Sequence, residues 1–353
     1  MKKILSVILM LSLVFGVVFA SGTKEAAGSV DSTEKDGYRI AFSNSYVGNA
    51  WRTASVNIFD AYTDKLIEEG VIADAYSSSA GNDVQAQINE IRNMMSEGYD
   101  AIVTIAASQT GLNSILEEAA ERGIVIVCFD AVVDSDLVYN VNTDQIAYGQ
   151  QLAQSLADRM GGKGNILWIK GIEGNAVTIK RSEGMQSVFD KYPGINILGT
   201  AFGMWDDSTT AVEMSKLMSA YAGQGIDGVI DEGGGGHAIV EALEEYGIDP
   251  TTVPISEGEM FNSFMKDWVE KDLDAFCLAQ PPYLSAASVD VALKVLNGEP
   301  VDKFTLIAQP TCATVEEAAA KWYQPDQEGN FACAWTDNDN TWNLTVDDIA
   351  PKN

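Results

Sequence analysis

Histidine is almost absent from this sequence, and its scarcity excludes several kinds of site. The only histidine is His237, which follows a run of four glycines at 233–236. One histidine cannot build a histidine-rich metal site or an H-E-x-x-H motif, and any Ser-His-Asp triad would depend on it alone. The G-x-S-x-G and G-x-x-x-x-G-K-[ST] motifs are also missing. We therefore expect no catalytic residue, no metal ligand and no cofactor.

The glycine run does not match the nucleotide-binding pattern G-x-G-x-x-G. It indicates either a flexible turn into a helix or a place where backbone N–H groups approach a ligand.

Positive charge is scarce as well. The chain has 22 Lys and Arg residues against 51 Asp and Glu residues, which gives a formal net charge of −29. A surface of this kind repels nucleic acid phosphates and anionic lipid headgroups. We expect no nucleic acid partner, and a strongly anionic ligand would need a local basic pocket.

The longest apolar run, 4–20, lies at the N-terminus after Lys2 and Lys3. A basic start, an apolar core and small residues at its end predict a secretory signal peptide over residues 1–20. The run is short for a membrane span, although an uncleaved anchor is the alternative. Ser21 stands where a lipoprotein would carry the acylated cysteine. Residues 21–37 are small, polar and charged, which predicts a disordered lead-in to an exported, periplasmic protein.

The four cysteines divide into two pairs. Cys128 and Cys277 lie in apolar, strand-like runs and are predicted to be buried thiols. Cys312 and Cys333 lie in irregular sequence, where an exported protein can oxidise them to a disulfide. Such a bond would close a loop of about 20 residues and contribute roughly 3 kcal/mol. The sequence leaves this pairing open.

Strand and helix patterns alternate along the rest of the chain. Apolar runs typical of buried parallel strands lie at 101–106, 123–129, 165–170, 228–232 and 275–279, with a further strand at 138–141. Helical patterns lie at 83–96, 111–122, 145–160, 180–191, 208–221, 238–246, 262–270 and 284–296. Repeated strand–helix–strand order predicts parallel sheets with helices on both faces.

The chain beyond residue 37 is longer than one hydrophobic core usually serves. We predict an α/β fold of two doubly wound parallel-sheet lobes joined by a multi-strand hinge. The first lobe is expected to comprise 38–142 plus 281–308, and the second 143–280 plus 309–353. The final segment, from 310, carries three tryptophans, so it is expected to pack on a lobe, without an indication of which.

The segment Tyr38 to Arg52 reads as a strand that runs into a polar loop before a helix near Thr53. Ligands collect at the carboxyl ends of strands in open α/β sheets. Here that end presents Asn49, Trp51 and Arg52, groups that suit a hydroxyl-rich molecule. The alternative is that Trp51 is the buried first residue of the helix and that Arg52 is solvated.

A signal peptide, two βα lobes and polar residues at strand ends resemble the ribose-type periplasmic binding proteins of ABC transporters. The resemblance covers roughly residues 38 to 310, and FSNSYVGNAWR is similar to a sugar-binding branch with Trp-Arg after the first strand. It implies ligand contacts from both lobes, namely Asn49, Trp51, Arg52, Asp130, Asn142, Arg181, Trp205, Asp231, Glu232, Glu257 and Gln280.

The sequence departs from the pattern of this family in several places. Ala131 stands where the family usually has an arginine, and Arg52 can replace that guanidinium. The asparagine expected after a second-lobe strand is ambiguous among Asp231, Glu232 and Gly233. Glu257 stands in place of an aspartate and reaches one methylene further. For each acid, the alternative role is a helix N-cap or a solvated loop position.

The resemblance implies a monomeric, non-enzymatic receptor that captures a monosaccharide or polyol between its lobes and delivers it to a membrane permease. A secreted carbohydrate-active hydrolase is one alternative, with Asp130 and Glu257 as the facing carboxylates that hydrolysis needs. An exported sensor that presents its ligand-bound form to a chemoreceptor is the other.

Overall fold

The computed structural model describes residues 37–350. The predicted signal peptide, 1–20, and the lead-in, 21–37, lie outside the described residues except for Gly37. Within residues 37–350, no helix combines the length and the apolar composition that crossing a membrane requires.

Two parallel-sheet lobes form the described chain. The strands of the first sheet are β1 (Tyr38–Asn44), β2 (Ile72–Ser79), β3 (Ala101–Ile105), β4 (Val125–Phe129), β5 (Tyr139–Asn142) and β11 (Phe304–Leu306). They lie in the order β11-β5-β4-β3-β1-β2, and all neighbouring pairs are parallel.

The second sheet repeats this arrangement with one antiparallel edge. Its strands are β6 (Lys163–Lys170), β7 (Gly194–Phe202), β8 (Gly228–Asp231), β9 (Ile255–Glu257), β10 (Ala275–Leu278) and β12 (Thr311–Cys312). They lie in the order β12-β10-β9-β8-β6-β7, with only the β10–β12 pair antiparallel. The predicted α/β fold of two lobes is confirmed.

Helices cover both sheets. The first lobe contains α1 (Ala50–Glu68), α2 (Val84–Glu97), α3 (Asn113–Glu121) and α9 (Leu284–Leu296). The second lobe contains α4 (Gln145–Arg159), α5 (Ala176–Phe189), α6 (Asp207–Tyr221), α7 (Gly236–Glu245) and α8 (Asn262–Lys271). The short elements are 3₁₀ turns at Ala222–Gln224 and Pro250–Thr252, α10 (Val315–Glu317), a π turn at Ala318–Trp322 and α11 (Val346–Ile349).

The chain passes between the lobes after β5, after β10 and between β11 and β12. The first passage leads into α4, whose N-cap Asp144 accepts hydrogen bonds from the backbone of Ile146 and Ala147. A side-chain acceptor at this position satisfies donors that the helix itself leaves unpaired. These passages together form the hinge.

The C-terminal segment crosses between the lobes once more. Residues 329–333 pair with the start of α8 in the second lobe, where the backbone N–H of Ser263 donates to Gly329 (2.8 Å). Further on, the segment contacts the first lobe, where Trp342 Nε1 donates to Asp290 (2.8 Å) and Asn57 donates to the Ile349 carbonyl (2.8 Å). The predicted assignment of all residues 309–353 to the second lobe therefore needs correction, because residues 342–349 pack on α1 and α9.

The candidate disulfide between Cys312 and Cys333 is not formed, and all four cysteines are free, buried thiols. Cys312 lies on β12 directly opposite Cys277, and its Sγ is 3.5 Å from the Thr314 carbonyl. Cys333 lies on a different segment, with its Sγ 3.6 Å from Asn262 Oδ1. Each thiol thus has a polar partner in its own surroundings. The predicted burial of Cys128 and Cys277 is confirmed.

Two glycines let α4 and α5 approach each other closely. A Cβ on Gly149 would clash with the Arg181 carbonyl, and a Cβ on Gly184 would clash with the Ile146 carbonyl. The two backbones are therefore in direct contact. This contact fixes the position of Arg181 relative to α4.

The glycine run 233–236 wraps around two buried carboxyl groups. The N–H groups of Gly233 and Gly235 donate to Asp231, and that of Gly234 donates to Glu257 (2.7–3.0 Å). The run thus forms a turn into α7 whose N–H groups bind the protein's own acids. Desolvation, countered in part by these bonds, raises the pKa of Asp231 to about 6. Desolvation and the charge of Asp231 raise the pKa of Glu257 well above its usual range.

We expect Gly184→Ala to lower the free energy of unfolding by about 1–3 kcal/mol, because the added methyl group forces two packed backbones apart. Urea denaturation measures this loss. Gly223→Ala is the matched control, since a Cβ there would meet no atom within 4 Å. Equal stability of the two variants would show that α4 and α5 can separate without cost.

We also expect the free energy of unfolding to increase as the pH is lowered from 8 to 5. Carboxyl groups in the unfolded chain titrate near pH 4. Folded Asp231 and Glu257 titrate higher, so the native state holds more protons across this interval and loses stability as the pH rises.

Denaturation of Glu257→Gln at both pH values isolates the contribution of this pair. An amide at position 257 resembles the protonated acid, so the variant should match the wild type at pH 5 and exceed its stability at pH 8. If both proteins lose the same stability between pH 5 and 8, the pair is not the source of the pH dependence.

Candidate functional site

A cavity lies between the lobes at the carboxyl ends of strands from both sheets. We call it the inner cavity. It has a volume of about 40 Å³, which is room for about three water molecules. Its lining residues are Tyr46, Asn49, Trp51, Arg52, Asp130, Arg181, Trp205, Glu259, Phe261 and Gln280.

The first lobe supplies a buried guanidinium group through the start of α1. Asn49 is the N-cap of this helix and accepts a hydrogen bond from the Arg52 backbone (2.9 Å). The Arg52 side chain donates to Asn44 and Ser45 (both 3.0 Å) and pairs with Asp130 (3.2 Å). Trp51 lies beside it and is also buried, with its Nε1 donating to the Gln280 carbonyl (2.7 Å). Arg52 is therefore held in place rather than solvated.

The second lobe supplies a matching guanidinium group from α5. Arg181 is buried, and its Cζ lies 3.8 Å from the centre of the Tyr148 ring and 5.9 Å from that of Trp205. Its Nη1 donates to the Glu232 carbonyl oxygen (2.6 Å). Because the ring below and the carbonyl beside it fix its plane, the guanidinium group is oriented before any ligand arrives.

One cavity residue in each lobe, Asp130 in the first and Trp205 in the second, has a left-handed backbone conformation. Asp130 has φ 57°, and Met204 and Trp205 have φ 60° and 57°. These values are uncommon for residues with a side chain and persist only where surrounding contacts impose them. At Asp130 the contacts are the pair with Arg52 and the bond from Asn142 Nδ2 to its carbonyl oxygen (2.6 Å).

A chain of side-chain hydrogen bonds connects the two guanidinium groups through the hinge. Arg52 donates to Asp130 (3.2 Å), which also accepts from Gln280 (3.1 Å). Gln280 accepts from Gln145 (3.1 Å), which in turn accepts from Arg181 Nε (2.9 Å). Gln280 and Gln145 stand at passages between the lobes. The two halves of the cavity are therefore linked by one hydrogen-bond network.

Glu259 is the acid that the second lobe presents to the inner cavity. Burial raises its pKa well above the usual range of a glutamate, and the charge of Arg181 and the N–H of Gln280 counter this rise. A protonated carboxyl group donates a hydrogen bond as well as accepting one. Burial of Glu259 therefore favours the form that can donate, and Arg181 favours the ionised form.

The structure brings most of the predicted site residues together. Those that line the inner cavity are Asn49, Trp51, Arg52, Asp130, Arg181, Trp205 and Gln280. The interpretation of Trp51 as a buried helix residue also holds, because it is the second residue of α1.

The remaining predicted residues, Asn142, Asp231, Glu232 and Glu257, are buried but do not line the cavity. Asn142 Oδ1 accepts from Gln280 and Gln145 within the hinge (3.0 and 3.2 Å). Glu232 accepts from Ser182 (2.6 Å) and from the Gly171 backbone (3.0 Å), and burial raises its pKa to about 7. Asp231 and Glu257 hold the glycine turn. Three of the four contact residues that line the cavity: the Glu232 carbonyl accepts from Arg181, Asn142 accepts from Gln280, and Glu257 accepts from the Glu259 N–H.

Sequence reasoning missed Tyr46, Glu259 and Phe261. Glu259 follows Glu257 by two residues, beyond the end of β9, so it lies closer to the cleft than the acid that the resemblance selected. Tyr46 lies in the first loop, with its ring centre 4.9 Å from Arg52 Cζ. The sequence offered one signal for these residues. Tyr46 and Glu259 each lie two residues beyond the end of a strand, β1 and β9, where side chains reach the cleft.

The donors and acceptors of the cavity suit hydroxyl groups. Guanidinium groups donate charge-assisted bonds, carboxylates accept them, and indole faces pack on C–H groups. Between residues 37 and 350 no cluster of three or more His, Cys, Asp or Glu side chains has the arrangement of a metal site.

Comparison with known proteins places this geometry in a family. A model of the periplasmic binding protein domain matches residues 40–300. The xylitol-binding protein of Mycolicibacterium smegmatis is 34% identical over 180 residues, which are 50% of this chain and 51% of that protein. The ribose import binding protein of Bacillus subtilis is 22% identical over 305 residues, covering 86% of this chain and 96% of that protein.

The match to the xylitol-binding protein thus spans about half of that protein's length. Among solved structures, an ABC transporter solute binding protein from Thermobispora bispora has a TM-score of 0.75 at 21% identity, covering 88% of this chain and 95% of that chain. Because the family model matches well over half of the sequence, this chain belongs to the periplasmic binding protein family, in the ribose-type branch that its sequence resembles.

Proposed function

We propose that this protein is the solute receptor of an ABC importer and that it captures an uncharged monosaccharide or polyol in the inner cavity. The observation that carries the proposal is the pair of oriented guanidinium groups, Arg52 and Arg181, one from each lobe. Asp130 forms an ion pair with the first (3.2 Å), and the charge of the second counters the rise that burial causes in the pKa of Glu259. A cavity without a large excess of either charge favours an uncharged guest.

The relatives support this class of ligand. One is named for xylitol and another for ribose import, and both names refer to small polyhydroxy compounds. In this proposal the chain is exported after cleavage of its predicted signal peptide. It acts as a monomer and delivers its guest to a membrane permease.

Binding requires the lobes to separate. Pockets for small ligands usually measure about 300–1,000 Å³, whereas the inner cavity measures about 40 Å³. Hinge opening and closure around a ligand is an established type of motion. The guest would enter an opened cleft, replace the contacts among the cavity side chains and then be enclosed.

We propose that the protein binds its guest without converting it. The hydrolase alternative relied on Asp130 and Glu257 as facing carboxylates. Glu257 is bound to the glycine turn and does not line the inner cavity. Both carboxylate oxygens of Asp130 accept hydrogen bonds from other side chains.

A thermal-shift screen with pentoses, hexoses and polyols tests the proposed ligand class. We expect at least one of them to raise the unfolding midpoint, with a stabilisation that follows RT ln(1 + [L]/Kd). Chromatography of the bound solute after long incubation should recover it unchanged. A shift caused only by a solute without hydroxyl groups would contradict the ligand class, and a new product would contradict the receptor role.

Arg181→Lys should weaken binding of the solute found in that screen by about 10- to 100-fold, because hydrogen bonds to charged groups contribute about 1.5–3 kcal/mol each. Lysine retains the charge but loses the fork that bonds Gln145 and the Glu232 carbonyl. Isothermal titration calorimetry measures the affinity.

Lys180→Ala is the matched control, because this neighbour on α5 is exposed. Urea denaturation of both variants separates a loss of affinity from a loss of folding. Unchanged affinity in a folded Arg181→Lys variant would show that the guanidinium group of Arg181 does not bind the ligand.

A further inference from the structure

A second and larger cavity adjoins the inner one. We call it the outer groove. Asn49, Trp205 and Phe261 line both, so the two spaces share a boundary. The outer groove has a volume of about 770 Å³, within the range of about 300–1,000 Å³ that small-ligand pockets usually have.

Three parts of the chain build the walls of the groove. The first wall is the start of α1, and the second consists of the starts of α6, α7 and α8. The third is the C-terminal segment, through residues 329–332 and Ile349. Backbone hydrogen bonds from Ser263 to Gly329 (2.8 Å) and from Asn262 to Phe331 (3.0 Å) fix this wall. The residues of this third wall all lie after residue 300, outside the segment 40–300 that the family model matches.

The lining of the groove combines apolar and polar groups. Phe261, Phe331 and Ala332 provide apolar surface, and Ser208 and Ser263 provide hydroxyl groups. Aromatic faces beside hydroxyl groups are the surroundings that a sugar ring requires.

The charged groups of the groove select against anions. Asp206 and Asp207 line it, and no lysine or arginine does. His237 also lines it, and a hydrogen bond to Asp267 raises its pKa (2.5 Å). A phosphate or carboxylate on the ligand would face two carboxyl groups and a single histidine here, so the groove suits an uncharged unit.

We propose that the outer groove is a second sugar subsite and that the receptor accepts uncharged glycosides, with one unit in the inner cavity and the next in the groove. This inference rests on the proposed sugar-binding function. It extends the ligand class from single monosaccharides to disaccharides and related glycosides. Trp205 and Phe261 stand at the junction, where they would contact both units.

Calorimetry with paired probes tests the proposal. The pairs are xylose with xylobiose, glucose with maltose and galactose with lactose. We expect at least one disaccharide to bind about tenfold more tightly than its own monosaccharide, since a second unit adds a few hydrogen bonds. Ser208→Trp fills the groove from α6 and should reduce this ratio to about one. Asn330→Trp fills it from the opposite wall and should do the same.

Val212→Trp is the matched control, because Val212 is exposed on α6 and does not line the groove. It should keep the tenfold ratio. Binding of monosaccharides with no gain from any disaccharide would overturn the second subsite and leave the receptor function standing. A ratio unchanged in both groove variants would also overturn it. Failure of every sugar and polyol to bind would instead refute the proposed function.

Discussion

The hydrogen-bond network that runs from Arg52 through Asp130, Gln280 and Gln145 to Arg181 is the constraint on which the rest of the site depends. Its two ends bind the ligand in our proposal, and its middle lies where the chain passes between the lobes. Any rotation of one lobe against the other must alter these bonds. Ligand binding and the relative orientation of the lobes are therefore coupled through neighbouring side chains.

Much of the site could be predicted from sequence because strand ends are easy to locate. Asp130 follows β4 directly and Arg52 lies at the start of the helix after β1, and strand ends converge at one edge of a parallel sheet. Arg181 lies within α5, and its place in the site was implied by the family resemblance. The distinction between Glu257 and Glu259 could not be predicted. Glu257 is the last residue of β9 and Glu259 lies two residues further on, and only the fold of the glycine turn shows that Glu257 binds the protein's own backbone while Glu259 lines the cavity.

The fold was predictable where burial is complete and less so at its margins. β3 is buried at every position and gives a continuous apolar run. β2 and β7 lie at sheet edges, and β7 has no buried residue, so its sequence lacks that signal. The position of Cys312 opposite Cys277 depends on β12 pairing with β10, a long-range contact that local sequence does not encode.

The C-terminal segment has a mechanical consequence for the receptor. Between Cys333, whose N–H donates to the Met260 carbonyl (2.8 Å) just before α8, and Trp342, which donates to Asp290 (2.8 Å), it forms a tether between the lobes. An extended chain spans at most about 3.6 Å per residue, so this tether limits the amplitude of opening. A receptor whose opening has an upper limit loses less conformational freedom on closing than an untethered one, which leaves more of its contact energy available as affinity.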